Sequence, residues 1–400
     1  MLQAVMMAAG KSTRTYPLTL TKPKPLLRIA NKPILAHQLD LFVGLIEEAV
    51  LIVGYKHDLI RAEFGESYRG IALRYVEQRE QLGTGHAAMQ VAPYIKDRFV
   101  LMNGDDLYAK SDLDALLRHQ YALLSQEVED PRLYGVLTVQ NGLVKDVIEK
   151  PDNPASNLTS VGMYVFDRAI FDALEHIPKS PRGEFEVTDA VKRLAQTAEM
   201  HYHVSPGLWM PVGFPWSVLN ANDFLLERGF EGEGGGIIES GVKIDGAASV
   251  GEGSIIRSGT HIQGRLCVGK RCVIGPDCHI RGNVSIGDDT VITGAATICN
   301  SVIDTHVRIA PFCHILHSVI GDHVVMQSGL VTMSEPMGTP TVMAMSKGKS
   351  VNTGRAQFGA VFASYVTAQP HVVTYPGVKI APDSTLSAGF VAHEDVGKVE

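Results

Sequence analysis

Two architectures in series, an open α/β sheet and then a parallel β-helix, are predicted by three features of the sequence. Short apolar runs alternate with amphipathic stretches before residue 230. Aliphatic residues recur every six positions after it, and the glycine-rich stretch GFEGEGGGIIESG lies between the two patterns. The domains expected are therefore 1–229 and 236–400.

In the first domain QAVMMAAG, EAVLIVGY and DRFVLMNGDD read as strands ending in glycine or polar residues, with amphipathic segments such as PILAHQLDLFVGLIEE between them. Open α/β sheets bind ligands beyond the carboxyl ends of their strands, so Gly10 and Asp105 are expected on one rim. In the second domain Ile238, Ile244, Val250, Ile256, Ile262, Val268, Ile274, Ile280, Ile286, Ile292 and Ile298 keep strict register. A six-residue period separated by glycine and small polar residues stacks each apolar side chain on the previous coil. The phase slips near residue 300, resumes at Ile303, Ile309 and Ile315, breaks over 331–358 and returns through Phe362, Ala368, Thr374, Ile380 and Leu386. The break reads as a loop or cap.

Composition narrows the function. The 400 residues are 45% hydrophobic and 20% charged, enough to bury two cores of ordinary size. A net charge of −7 and the lack of a long basic run argue against nucleic-acid binding. The N-terminus has no basic region before its apolar stretch and no apolar run approaches about 18 residues, so no membrane association and a cytoplasmic location are expected. The five cysteines, Cys267, Cys272, Cys278, Cys299 and Cys313, show no C-x-x-C pair. Cys272 and Cys278 occupy the repeat positions that Ala248, Ser254 and Ala296 occupy elsewhere, and read as small packing residues.

The chemistry concentrates in AAGKSTRTYPLTLTKPKPLL, residues 8–27. Ala8, Ala9 and Gly10 allow backbone amides close to phosphate, while Arg14 and Lys24 supply charge for its oxygens. Neither G-x-G-x-x-G nor the P-loop pattern is present. The A-A-G, x-x-T-R and P-K-P-L elements together resemble the sugar-1-phosphate nucleotidylyltransferase signature. EQREQLGTGHA at 77–87 extends the likeness toward the bifunctional N-acetylglucosamine-1-phosphate uridylyltransferase/glucosamine-1-phosphate acetyltransferases.

That resemblance implies a Rossmann-like nucleotidyltransferase domain followed by a left-handed parallel β-helix. It also implies an NTP, with UTP or dTTP preferred, and a sugar 1-phosphate as substrates. Gln78 would read the base edge, with Gln81, Gly83 and Thr84 near base and ribose; an amide donates and accepts together, as a pyrimidine edge requires. Asp105 would hold Mg2+, and Asp106 would be a solvated neighbour or cap. In YGVLTVQNGLVKDVIEKPDNPASNLTSVGMYVF the family places sugar contacts on Glu149, Gly135 and Gly162, and the sugar phosphate on Lys150. RGEFEVTDA, with Glu186 and Asp189, matches as well, or starts a helix.

Departures from the family patterns leave alternatives open. Pro211 stands where thymidylyltransferase-like relatives place a second metal aspartate, so Asn220 or Asn222 would have to compensate. A non-catalytic regulatory or scaffolding homologue is one alternative. In the second domain KGKSVNTGRAQFGAVFASYVTAQPHVVTYPGVKIAPDS resembles the acetyltransferase half, with Lys347, Lys349 and Arg355 for substrate or acetyl-CoA phosphates. Pro311, His314 and Ser334 fall where that family carries histidine, tyrosine and asparagine, so amino-sugar-phosphate acetylation is open, as is an acetyltransferase-only protein. The resemblance implies a homotrimer through the β-helix.

Overall fold

The computed structural model describes residues 1–399 apart from Leu208, Phe230, Glu231, Glu233 and Met337. Three residues of the glycine-rich junction, Phe230, Glu231 and Glu233, thus lie outside the described residues. The chain forms two compact units, Met1–Lys11 with Ile34–Pro211, and Ser12–Pro33 with Val212–Glu400.

The first unit is built on a ten-stranded mixed sheet. Its centre is four parallel strands in the order Arg98–Asn103, Leu2–Ala8, Glu48–Val53 and Ile71–Glu77. Consecutive residues Ala4, Val5 and Met6 are all fully buried, as are Ala49 to Ile52. Near-continuous apolar runs are what a parallel strand covered on both faces requires. Antiparallel strands Leu158–Phe166, Gly135–Gln140 and Leu143–Glu149 extend the sheet on one side. Register aligns Ala8 with Val53, Val53 with Glu77 and Met7 with Asn103, so the four parallel strands end at one edge.

The second unit is a left-handed parallel β-helix whose rungs pair across coils. Ile255 pairs with Val273 and Val273 with Val291, eighteen residues apart, so three hexapeptides close one coil. Val291 then pairs with Arg308 and Arg308 with Val325, only seventeen apart. Each short coil drops one corner residue, at Asn300 and at His317, both in the left-handed region with φ 42° and 48°. This explains the slip near residue 300. Register resumes from Val325 to Thr367, and the intervening break contains an antiparallel hairpin, Met343–Ser346 with Lys349–Asn352.

Inward positions from Val250 to Leu386 form one continuous apolar core, with Cys272, Cys278 and Cys313 fully buried in it. All five cysteines are free thiols. The ladder does not begin where the period does: Ile238 and Ile244 are 42% and 37% exposed. A first coil has a neighbour on one side only, so its apolar rung cannot be covered by repetition.

Candidate functional site

The rim formed by the parallel strand ends gathers several of the residues singled out above. Ala8 and Ala9 are buried and Gly10 is exposed just past its strand. The Ala9 carbonyl accepts from the Tyr55 amide at 3.1 Å and from Gln81 Nε2 at 2.7 Å. The Gly104 amide donates to the Met7 carbonyl at 3.0 Å, so Gly104–Asp105 leaves the sheet beside the same strand end. Two glycines make this possible. A Cβ on Gly54 would lie 2.9 Å from the Ala9 oxygen, and one on Gly104 would lie 2.8 Å from the Met7 oxygen. Both are below any tolerated contact.

Gln78, 6% exposed, is held through Nε2 by the Gly83 carbonyl at 3.3 Å and by His86 Nδ1 at 3.1 Å. Gly83 has φ 105°, and a Cβ there would meet the Phe185 carbonyl at 2.5 Å, so only glycine fits. It opens the helix Thr84–Met89, and Thr84 Oγ1 accepts from the Val187 amide at 3.1 Å. Sequence reading missed two supports here. Buried Gln38 donates to the carbonyls of Asn103 and Asp106 at 2.7 and 2.6 Å, pinning the loop that carries Asp105. His86 orients Gln78. The only sequence signal for Gln38 is a lone amide on an apolar helical face.

Asp105 is half-buried, whereas Asp106 is 7% exposed, so of the two roles expected for it, solvated neighbour or cap, burial overturns the first. The Asp106 backbone pairs with Pro211 in a two-residue antiparallel ladder, Met210–Pro211 against Asp106–Leu107. Burial, then the Asp106 and Asp105 charges, push the Tyr108 hydroxyl far above its usual range, so it stays protonated and donates to the Val161 carbonyl at 2.8 Å.

A second cluster on the first unit collects the sugar-phosphate candidates. Lys150, exposed with φ 44°, places Nζ 3.0 Å from Glu149 Oε1. Thr188 Oγ1 donates to Glu149 Oε2 at 3.3 Å, and Arg182 Nη1 lies 3.7 Å from Glu149 Oε1 and 3.1 Å from Glu186 Oε1. A Cβ on Gly135 would strike the Thr188 methyl at 2.8 Å, and one on Gly162 (φ 79°) would strike Asn103 Nδ2 at 2.1 Å. Burial, then repulsion from Glu149, raises Glu186 despite Arg182. Burial likewise raises Asp189, against Lys192. Glu186 immediately precedes the helix Val187–Leu194 and Asp189 lies in its first turn, so both also sit at a helix start. Arg182 and Thr188 were not legible as partners of Glu149, because 33 to 39 residues separate them in the chain.

Arg14 and Lys24 belong to the second unit. Arg14 is exposed in the short 3-10 turn Thr13–Thr15, its guanidinium 5.5 Å from the centroid of the Phe214 ring. Thr15 and Thr19 hydroxyls donate to the Ser12 carbonyl at 2.7 and 3.0 Å, holding that turn. Lys24 is 5% exposed and opens the turn Lys24–Leu26 behind Pro23. The asparagines considered as substitutes for a second metal aspartate are committed elsewhere in this unit. Asn222 accepts from the Ala30 amide at 3.1 Å and donates to the Asn283 carbonyl at 3.3 Å, and Asn220 accepts from Arg355. Arg355 also lies 3.5 Å from Asp223. His314 is exposed and Ser334 buried.

Comparison with known proteins identifies what the chain is similar to. Residues 3–228 match the family model described as nucleotidyl transferase. The bifunctional protein GlmU of Methanococcus maripaludis is 34% identical over 398 residues, covering 99% of this chain and 95% of the relative. A bifunctional sugar-1-phosphate nucleotidylyltransferase/acetyltransferase of Sulfurisphaera tokodaii is 30% identical, covering 99% and 98%. A solved structure of UDP-glucose pyrophosphorylase complexed with UDP-glucose superposes on 56% of this chain and 98% of its own at 24% identity and a TM-score of 0.52, a likeness of fold. With a matched family model over more than half of its length and full-length relatives above the level of chance likeness, the chain belongs to the nucleotidyl transferase family.

Proposed function

We propose that this protein transfers a nucleotidyl group from UTP or dTTP to a sugar 1-phosphate, releasing pyrophosphate and forming an NDP-sugar. The observation that supports it best is the common rim of Ala9, Gly10, Gln78, Gly104 and Asp105 at the ends of four parallel strands. With its Nε2 held by Gly83 and His86, Gln78 would turn its Oε1 to the N3–H of uracil or thymine, a donor that cytosine lacks.

An oxygen of the sugar phosphate would attack the α-phosphorus in line. The new P–O bond forms as the bond to the β-phosphate oxygen breaks, and pyrophosphate leaves with that electron pair. Arg14 and Lys24 would neutralise the triphosphate, and Lys150 would hold the attacking phosphate with Glu149 on the sugar hydroxyls. Ala8, Ala9 and Gly10 would face the phosphates through backbone amides, Gln81, Gly83 and Thr84 would flank base and ribose, and Gly135 and Gly162 would admit the sugar. Among the described residues no three His, Cys, Asp or Glu side chains form a metal cage. Asp105 would hold Mg2+, which supplies charge neutralisation between the phosphates. Losing one such contact typically costs about 3–4 kcal/mol of barrier.

The functional halves proposed are 1–229 for transfer and 236–400 for assembly as a homotrimer, which sedimentation would test. Among the described residues no helix is long and apolar enough to cross a membrane. A regulatory homologue is the second reading, favoured by Pro211 in place of a carboxylate. An acetyltransferase-only protein is the third; acetyl transfer from acetyl-CoA by the β-helix, alone or beside nucleotidyl transfer, would draw on His314 or His317 as base and on Lys347, Lys349 and Arg355 for phosphates. The deciding experiment is pyrophosphate release with Mg2+ across a matrix of NTPs and sugar 1-phosphates. Release that needs both substrates supports the transferase; none from a folded preparation would leave the regulatory reading.

A further inference from the structure

The segment between Ser12 and Pro33 carries Arg14 and Lys24, yet its side-chain ties run to the β-helix of the same unit. Lys22 Nζ lies 2.6 Å from Asp304 Oδ2 and 2.7 Å from Asp322 Oδ1, with the three side chains only 10–16% exposed. Thr21 Oγ1 is 2.9 Å from Ser364 Oγ, which itself donates to Asp322. Arg28 Nε approaches Asp304 at 3.7 Å. Asp304, Asp322 and Ser364 each follow a rung of three successive coils, since Ile303 pairs with Ile320 and Ile320 with Phe362. Past Lys24, the Ala30 amide donates to Asn222 and its carbonyl accepts from Cys267 at 3.7 Å.

Lys24 is therefore flanked by anchors. Two residues of chain reach at most about 7 Å, and the intervening Pro23, at φ −71°, removes one of the few rotations that could absorb a shift. Behind it the Leu26 and Leu27 amides close the turn on the carbonyls of Pro23 and Lys24, both at 2.9 Å. Burial alone would lower the Lys22 pKa; Asp304 and Asp322 outweigh it and raise it, so the cation persists. A buried ion cluster is a poor source of stability compared with apolar packing, and its better attested use is to fix register.

Resting on the transfer reading above, we infer that Lys22 is a positioning residue for nucleotidyl transfer. Clasped by Asp304 and Asp322, it holds the backbone that carries Lys24, the residue proposed above to neutralise the triphosphate. The test uses the full chain, comparing wild type, Lys22→Met, Lys22→Arg and Asp322→Asn by pyrophosphate release and by amide hydrogen exchange over residues 12–33. Lys22→Met should lose about a hundredfold in kcat/KM for the NTP, the scale expected of a displacement of about 1 Å. Its exchange over 12–33 should quicken about tenfold. Lys22→Arg should recover part of both, because it restores the cation, and a merely structural loss of stability would instead spread faster exchange over the whole β-helix. If Lys22→Met does not fold, Asp322→Asn, which keeps Asp304 as partner, reads the same two quantities. A folded variant with unchanged kcat/KM beside an active wild type would overturn this inference alone. An inactive wild type would overturn the transfer reading and this one with it.

Discussion

The strand ends of the α/β unit and the corners of the β-helix are both places where the chain turns sharply, but they use their side chains in opposite ways. At the strand ends, tight backbone approach is handled by Gly54, Gly83 and Gly104. Side chains such as Asp105 and Gln78 are then set individually, by supports like Gln38 and His86. At one β-helix corner Arg271, Asp289, His306, His323 and Tyr365 all take left-handed backbone with φ between 55° and 64°. There each side chain meets the one a coil away: Arg271 Nη2 is 2.6 Å from Asp289 Oδ2, His306 stacks on His323 at 4.6 Å, and His323 on Tyr365 at 4.9 Å. Repetition commits polar side chains to their own copies.

This contrast is open to breaking. The largest effect expected is for Asp105→Ala, which should cut pyrophosphate release by about a hundredfold to a thousandfold while moving the unfolding midpoint little, since Asp105 is half-buried on a loop. A variant that lost its fold along with its activity would show that strand-end side chains are structural too. Next is Ile280→Ala, at a position 1% exposed in the middle of the ladder, which should cost about 2–5 kcal/mol in denaturant unfolding. A cost near zero would mean the coils relax around the gap and the core is looser than its repeat.

His317 sharpens the comparison through pH. Burial, then the Arg355 charge, lowers its pKa to about 4, against a smaller upward pull from Glu335. The folded value lies below the unfolded value of about 6.5, so the native state binds fewer protons in that window. Stability is therefore full above about pH 6.5 and is lost as pH falls toward about 4, by at most about 3 kcal/mol. His317→Asn, which tolerates the left-handed backbone, should flatten that slope in urea unfolding measured from pH 7 to 4. An unchanged slope would assign the acid sensitivity elsewhere. The smallest effect expected is for Ile238→Ala at the exposed first rung, within about 0.5 kcal/mol. A loss comparable to that at Ile280 would mean the first coil is covered in solution, as assembly with other copies could do.

The order of the two architectures, the six-residue repeat, the strands ending at Gly10 and Asp105 and the adjacency of Glu149 and Lys150 were legible from residues near one another in sequence. Local periodicity and short motifs encode backbone path within a few residues, and that suffices for strand, coil and turn. Tertiary structure alone decided the rest. It buried Asp106 beside the Pro211 ladder, spent Asn222 on Ala30 and Asn283, dropped a second corner residue at His317, and tied Lys22 to Asp304 and Asp322 across some three hundred residues of chain. The physical reason is the same in each case. A polar side chain's partner is fixed by which distant backbone closes over it, and burial then makes that pairing obligatory.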